Sequence, residues 1–409
     1  MSSHFRKLLP LLLVIFVDSF AYFVVIPVLL QLYFNNHYGL LADSASQSTR
    51  NILTGLTIAL SPLAALLAAP IIGSASDKYG RKKTLLVCVM GTAFGFLLPI
   101  IGILSKSLGL ILLGRFVAGV GSASQPVAQA AVADLCQGKE KAYYLNWIAL
   151  VMTLALLLGP LAGGYLSDPQ LVSWFTVTTP YWCAFIISLI ALVLLMLFFQ
   201  ETSSTAIRQQ MLSAREVLLG LPIAIKQYHV GILLLIFFCL ELGWSQYYQA
   251  IFLYLSEAFH YTPQQVSTYA SYMGILMCVG LLVLYPLLLR VLSIAHFMKL
   301  SILLVFVGLL GCAVFPTPLM QWIFIPLVVI FTGTAYVNLV TLISNKVSAT
   351  HQGWVMGYTS TTLFFAWLLT AFNGGWLISL HLTLPLFIAV LALLIGSLAA
   401  LYYKDKSVS

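Results

Sequence analysis

The stretch IIGSASDKYGRKKTLL, residues 71–86, lies between two long apolar runs and holds four cations (Lys78, Arg81, Lys82 and Lys83), one acid (Asp77) and two glycines (Gly73 and Gly80). Only 7% of the 409 residues are charged, so this concentration needs a reason. Composition gives the setting: 61% of the chain is hydrophobic and its mean hydropathy is +1.02, well above the roughly 45–50% apolar usage of a soluble domain. The chain reads as an integral membrane protein. Its net charge of +8 could suit nucleic acid, but the cations are scattered between apolar runs, singly or in short groups, and are not gathered on one soluble face. The expected partner is therefore the lipid bilayer and not a nucleic acid.

A helix needs about 20 mostly apolar residues to cross the bilayer, and on that rule the sequence predicts twelve spans. They fall near 8–34, 51–72, 84–104, 107–134, 142–166, 180–199, 229–255, 266–289, 298–316, 320–344, 354–380 and 383–402. The start, SSHFRKLLPLLLVIFV, has the basic and apolar regions of a signal peptide. Asp18 follows without a small-residue cleavage site, however, so the segment reads as a retained first span. The spans are helical because open sheet edges do not survive in hydrocarbon.

The cations test this map. With both termini cytoplasmic, Arg6, Lys7, Lys78, Arg81, Lys82, Lys83, Lys139, Lys141, Arg208, Arg215, Lys226, Arg290, Lys299, Lys346, Lys404 and Lys406 fall inside, and only Arg50 and Lys106 fall outside. That asymmetry is what the positive-inside rule requires. Arg115 alone remains within a span.

The longest polar interruption, 200–230, divides the spans six and six. The expected organisation is a six-helix bundle over 1–199, a linker over 200–228 with an amphipathic helix near 212–226, and a second six-helix bundle over 229–409. The halves echo each other weakly: APIIGSASDKYGRKKTL (69–85) aligns with YPLLLRVLSIAHFMKL (285–300), placing Pro70 against Pro286 and Ser293 opposite Asp77. Paired six-helix halves around a midplane site are a common plan among secondary transporters.

GSASDKYGRKK resembles the loop-2/3 signature of the major facilitator superfamily. GRFVAGVG around Arg115, LGPLAGGYL (158–166) and VDSFAYFVVIP (17–27) resemble three further motifs, the last two belonging to its drug:proton antiporter branch. The resemblance spans the whole chain. It implies the major facilitator fold, an all-α integral membrane architecture of two pseudo-symmetric six-helix bundles around a central cavity. It also implies that the 71–86 cluster clamps the halves together on the cytoplasmic side, with Asp77 meeting the positive end of a second-half helix. Residues read alone allow a simpler alternative, a basic loop that only sets topology, but topology requires neither Asp77 nor the glycines. A switch group of Gly73, Asp77, Gly80, Arg81, Lys82 and Asp134 is expected. Gly159, Pro160, Gly163 and Gly164 join it by thinning and kinking the fifth span, since Pro160 removes a backbone bond; in the resembled branch this motif accompanies export.

Three ionisable residues lie within spans, where each costs about 2.5–3.5 kcal/mol on insertion scales: Asp18 in the first, Arg115 in the fourth and Glu241 in the seventh. In the resembled fold these spans line the cavity, so all three are candidates for proton coupling, an acid loading on one side and unloading on the other. A buried pair that only fixes packing is the competing reading. Tyr22, Gln125, Gln129, Trp244, Tyr248 and Asn338 are candidates for the substrate cavity, where ring faces suit a flat or cationic ligand. The aromatics could instead form an interfacial belt, and the amides could be helix-to-helix hydrogen bonds.

No HExxH, GxSxG, paired His–acid cluster or GxxxxGK[ST] loop occurs, so neither an enzyme nor an ATP-driven pump is expected. The six cysteines are scattered without metal spacing. No cofactor is expected beyond protons as coupling ion, and no metal. The sequence reads as a monomeric, multi-pass, inner-membrane, proton-coupled exporter of small organic molecules. The alternative is a proton-driven importer of a nutrient, metabolite or iron chelator. Two intramembrane acids against one base favour neutral or cationic cargo.

Overall fold

Apolar runs of this length can bury their backbone polar groups only within themselves, and the chain resolves them as helices. The structure, a computed structural model, describes residues 3–34, 38, 40–42, 44–202, 230–348 and 351–404. Among these residues twelve helices are long and apolar enough to span a membrane: Leu9–Phe34, Ile52–Tyr79, Arg81–Leu104, Leu108–Leu135, Gly138–Tyr165, Thr179–Phe198, Gly231–Phe259, Gln265–Val291, Ile294–Val314, Pro318–Asn345, Gln352–Asn373 and Leu384–Tyr402. They are called the first to twelfth spans below. No strand occurs among the described residues. The amphipathic helix expected at 212–226 lies outside them.

Packing repeats with a step of six spans. In the first half the first span packs on the fifth and sixth, the third on the fourth and sixth, and the second on the fourth. In the second half the seventh packs on the eleventh and twelfth, the ninth on the tenth and twelfth, and the eighth on the tenth. The sequence echo between the halves therefore has a structural counterpart. The halves meet along two seams: the second span lies against the eleventh, and the fifth against the eighth and tenth. The distal part of the fourth span also touches the eleventh.

The 71–86 stretch differs from its reading as a loop. The helix that begins at Gln47 runs on to Tyr79, and the next starts at Arg81. The whole reversal is made by Gly80, whose φ of 96° is a conformation that side-chain-bearing residues avoid. The charged residues thus sit on rigid helix ends. The fourth span is broken in the middle, Leu108–Gly121 and Ser124–Leu135 being separate helices. The eighth carries a π-helical turn over Gly280–Leu284.

Candidate substrate cavity and interhelical lock

Between the halves lies a cavity of about 160 Å³. Asp18 and Tyr22 enter it from the first span, Gln125 from the fourth, Glu241 and Trp244 from the seventh, Tyr336 from the tenth and Trp367 from the eleventh. Among the described residues its lining contains two acids and no Lys, Arg or His.

Asp18 is 6% exposed. Thr92 of the third span donates to its Oδ1 at 2.7 Å, and the Ser124 hydroxyl donates to its Oδ2. The break in the fourth span is what brings Ser124 there, at the first turn of the distal helix. Both partners are hydroxyls, which can donate or accept, so the same pair can serve the acid whether or not it carries a proton. Glu241, also buried, accepts from the Trp367 indole N–H at 3.2 Å. Tyr22 meets the Trp367 ring edge-on at 6.5 Å, and Tyr248 stacks obliquely on Trp244 and Trp367 at 5.6 and 5.9 Å. Tyr248 itself lines a second cavity of about 180 Å³ between the fifth, seventh and eighth spans, which shares Leu156, Trp244 and Met277 with the first.

The expectation that all three intramembrane charges face one pocket fails for Arg115. Gly119 packs directly on the Ser61 backbone and draws the fourth span against the second. Arg115, one turn earlier, is then enclosed between spans: its guanidinium donates to the carbonyls of Thr57 and Ala21 at 3.3 and 3.4 Å and lies over the Tyr22 ring at 5.7 Å. No ion pair joins it to Asp18 or Glu241.

Two expected cavity amides are placed elsewhere. Gln129 does not line the cavity; it donates to the Tyr336 hydroxyl at 2.8 Å, as Gln125 does at 2.7 Å, so two amides of the first half grip one phenol of the second. Asn338 is fully buried and accepts from Tyr285 at 3.1 Å within the second half.

At the basic end of the bundle, the residues singled out around Gly80 converge. The Arg81 guanidinium, fully buried, donates to Asp77 at 2.7 Å and to both oxygens of Asp134 at 2.9 and 3.4 Å. Asp77 also accepts the backbone N–H groups of Gly353 and Trp354, at 3.0 and 2.9 Å, in the first turn of the eleventh span. Free N–H groups and the helix dipole make that turn a natural partner for a carboxylate. The approach requires glycine: a Cβ on Gly73 would strike the Gly353 carbonyl, and one on Gly353 the Gly73 carbonyl.

Glu201, not singled out in the sequence, accepts the N–H groups of Arg81 and Lys82 at 2.9 and 3.3 Å and caps the third span. The signal was an acid in the first polar residues after a span. The Lys82 ammonium turns to the Met196 carbonyl at 2.8 Å. In the fifth span, Gly159 and Gly163 lie against the Phe23 and Val24 backbone and Pro160 lines the second cavity, whereas Gly164 has nothing within 4 Å of a would-be Cβ.

Comparison with known proteins agrees with this architecture. Residues 11–371 match the Major Facilitator Superfamily. The chain is 24% identical over 362 residues to Multidrug resistance protein 2 of Bacillus subtilis, covering 86% of each. It is 30% identical over 197 residues to the class H tetracycline resistance protein of Pasteurella multocida, 48% of this chain and 45% of that protein, so this match spans about half of that relative's length. In three dimensions it resembles the human organic anion transporter MFSD10 (TM-score 0.80, 17% identity, 98% and 100% of the two chains) and the proton:xylose symporter XylE (0.76, 16%, 97% and 94%).

Proposed function

This chain belongs to the Major Facilitator Superfamily and is a multi-pass membrane transporter, not an enzyme, and on that premise we propose that it is a proton-coupled secondary exporter of small organic molecules, working by alternating access in the inner membrane. The observation that carries the reading is the cavity wall: two buried acids, Asp18 and Glu241, among aromatic rings, with no cationic side chain. Such a wall suits a neutral or cationic organic molecule, held by ring faces and by whichever acid is ionised. A polyanion would find no counter-charge. Export is supported by the relatives that are named for tetracycline and multidrug resistance.

In mechanism, Asp18 and Glu241 exchange substrate for protons on opposite sides of the cycle. Thr92 and Ser124 hold Asp18 in place in either charge state, and Trp367 ties Glu241 to the aromatic wall that meets the substrate. The Asp77–Arg81–Asp134 group closes the basic end while the opposite end is open. Purified protein in liposomes with an imposed pH gradient tests this. A lipophilic cationic dye should move against the proton gradient, with Asp18→Asn and Glu241→Gln each removing the gradient-driven component. Flux unaffected by both substitutions would sink the coupling assignment.

A further inference from the structure

The lock around Asp77 closes only one of the two seams between the halves, that of the second and eleventh spans. Its repeat partner cannot close the other in the same way: Ser293 stands where Asp77's counterpart would be and is used to cap the ninth span, accepting the His296 N–H. The seam of the fifth and eighth spans must be held by something else.

An exposed bond from the Lys139 ammonium to the Arg290 carbonyl, at 3.4 Å, contributes; the π-helical turn at Gly280–Leu284 supplies a buried one. Pro286 has no N–H, so the carbonyl four residues earlier cannot be served in the α-helical pattern. The helix widens there, and the Tyr285 N–H bonds to the Gly280 carbonyl, five residues back. The next carbonyl, Leu281, then has no donor: Tyr285 is engaged, and position 286 offers nothing. It is satisfied from the opposite half, by the side-chain amide of Asn146 in the fifth span at 2.8 Å, in a buried contact. Asn146 is 3% exposed, and its own Oδ1 has no partner. An amide kept only for packing would be expected to use both ends; this one is committed to a single bond across the seam.

The first half repeats the device in weaker form. Pro70, aligned with Pro286, leaves the Leu66 carbonyl without its helical donor, and Thr361 of the eleventh span stands 3.5 Å from it while bonding the Gly357 carbonyl at 2.9 Å. π turns of this kind are often found at functional sites.

We propose that Asn146 is a positioning residue for the transport cycle, latching the fifth span to the carbonyl that Pro286 frees in the eighth and so biasing the halves toward closure at the basic end. The bond lies on the basic side of the central cavity, below Ala149 and Met277, which line it. When that end opens the bond must break, and the Leu281 carbonyl must take water or recover the α-helical register. Of the proposed function the inference uses only alternating access, and not the substrate, the proton or the direction.

Hydrogen–deuterium exchange on the full chain in lipid nanodiscs, without substrate or pH gradient, tests it. Asn146→Leu should speed amide exchange at the basic ends of the fifth and eighth spans by about three- to tenfold, the range for losing one hydrogen bond between membrane helices. Exchange at the opposite ends should slow, because closure there is the counterpart of opening here. Pro286→Ala should give the same reciprocal shift by returning the Leu281 carbonyl to the helix. The double variant should go no further than the larger single one, since each change removes the same bond. Faster exchange at both ends would mean simple loosening; that result, additive effects of the two substitutions, or an unchanged profile would overturn the proposal. A failure of the export reading would leave this experiment unaffected.

Discussion

Replacing Asp77 by asparagine should release the basic end of the molecule. The carboxylate accepts from Arg81 and from two backbone N–H groups at the start of the eleventh span, and it is 6% exposed. Asparagine keeps one acceptor oxygen but turns an NH₂ group toward one of those N–H donors, and it carries no charge. A charge at a partly buried helix N-terminus contributes up to about 2 kcal/mol, and a hydrogen bond to a charged group about 1.5–3 kcal/mol. These overlap, so a loss of about 2–3 kcal/mol is expected, or about thirty- to 160-fold in the equilibrium between closed and open basic ends. Arg81 stays buried and paired with Asp134, so the helices themselves should persist. Pulsed EPR between labels at Tyr79→Cys and Val291→Cys, exposed ends of the second and eighth spans, in a background lacking the six native cysteines, reads the change as a longer distance. An unchanged distance distribution, or one that broadens equally for a label pair at the opposite end, would refute the view that Asp77 holds the halves together.

Other substitutions separate parts of the account. Gly73→Ala should open the same seam, because its Cβ would meet backbone at Gly353, whereas Gly164→Ala should leave both transport rate and thermal stability unchanged. Arg81→Lys should weaken closure despite keeping the charge, since an ammonium lacks the fork that spans Asp77 and Asp134 together; EPR on the same label pair measures it. Trp367→Phe keeps an aromatic wall but removes the donor to Glu241, so it should change the pH dependence of flux more than substrate KM.

The sequence was most legible where a single physical rule dominates. Twelve apolar windows are enough for the helical architecture, because hydrocarbon leaves a backbone few alternatives. Asp18 and Glu241 stood out because charge in a span is costly. Arg115 met the same criterion yet lies outside the cavity: its long side chain reaches Thr57 and Ala21, and that direction is decided by the Gly119–Ser61 contact. Thr92, Ser124, Tyr336 and Trp367 went unmarked. A hydroxyl or an aromatic ring in a span is ordinary, and only the packing of four different spans shows which of them turn toward Asp18, Gln125 and Glu241. The 71–86 stretch looked like a loop because its charges suggest one, although one positive-φ glycine suffices to reverse the chain.

Proton movement set off by substrate alone, with no imposed gradient, bears most directly on the proposed exchange. Proteoliposomes carrying an internal pH dye would receive a saturating pulse of a transported cation outside. Exchange predicts that the interior becomes more alkaline as the cation enters and protons leave, with no response in a variant carrying both Asp18→Asn and Glu241→Gln. Acidification of the interior as the substrate enters would contradict it, making the protein a symporter built on the same fold.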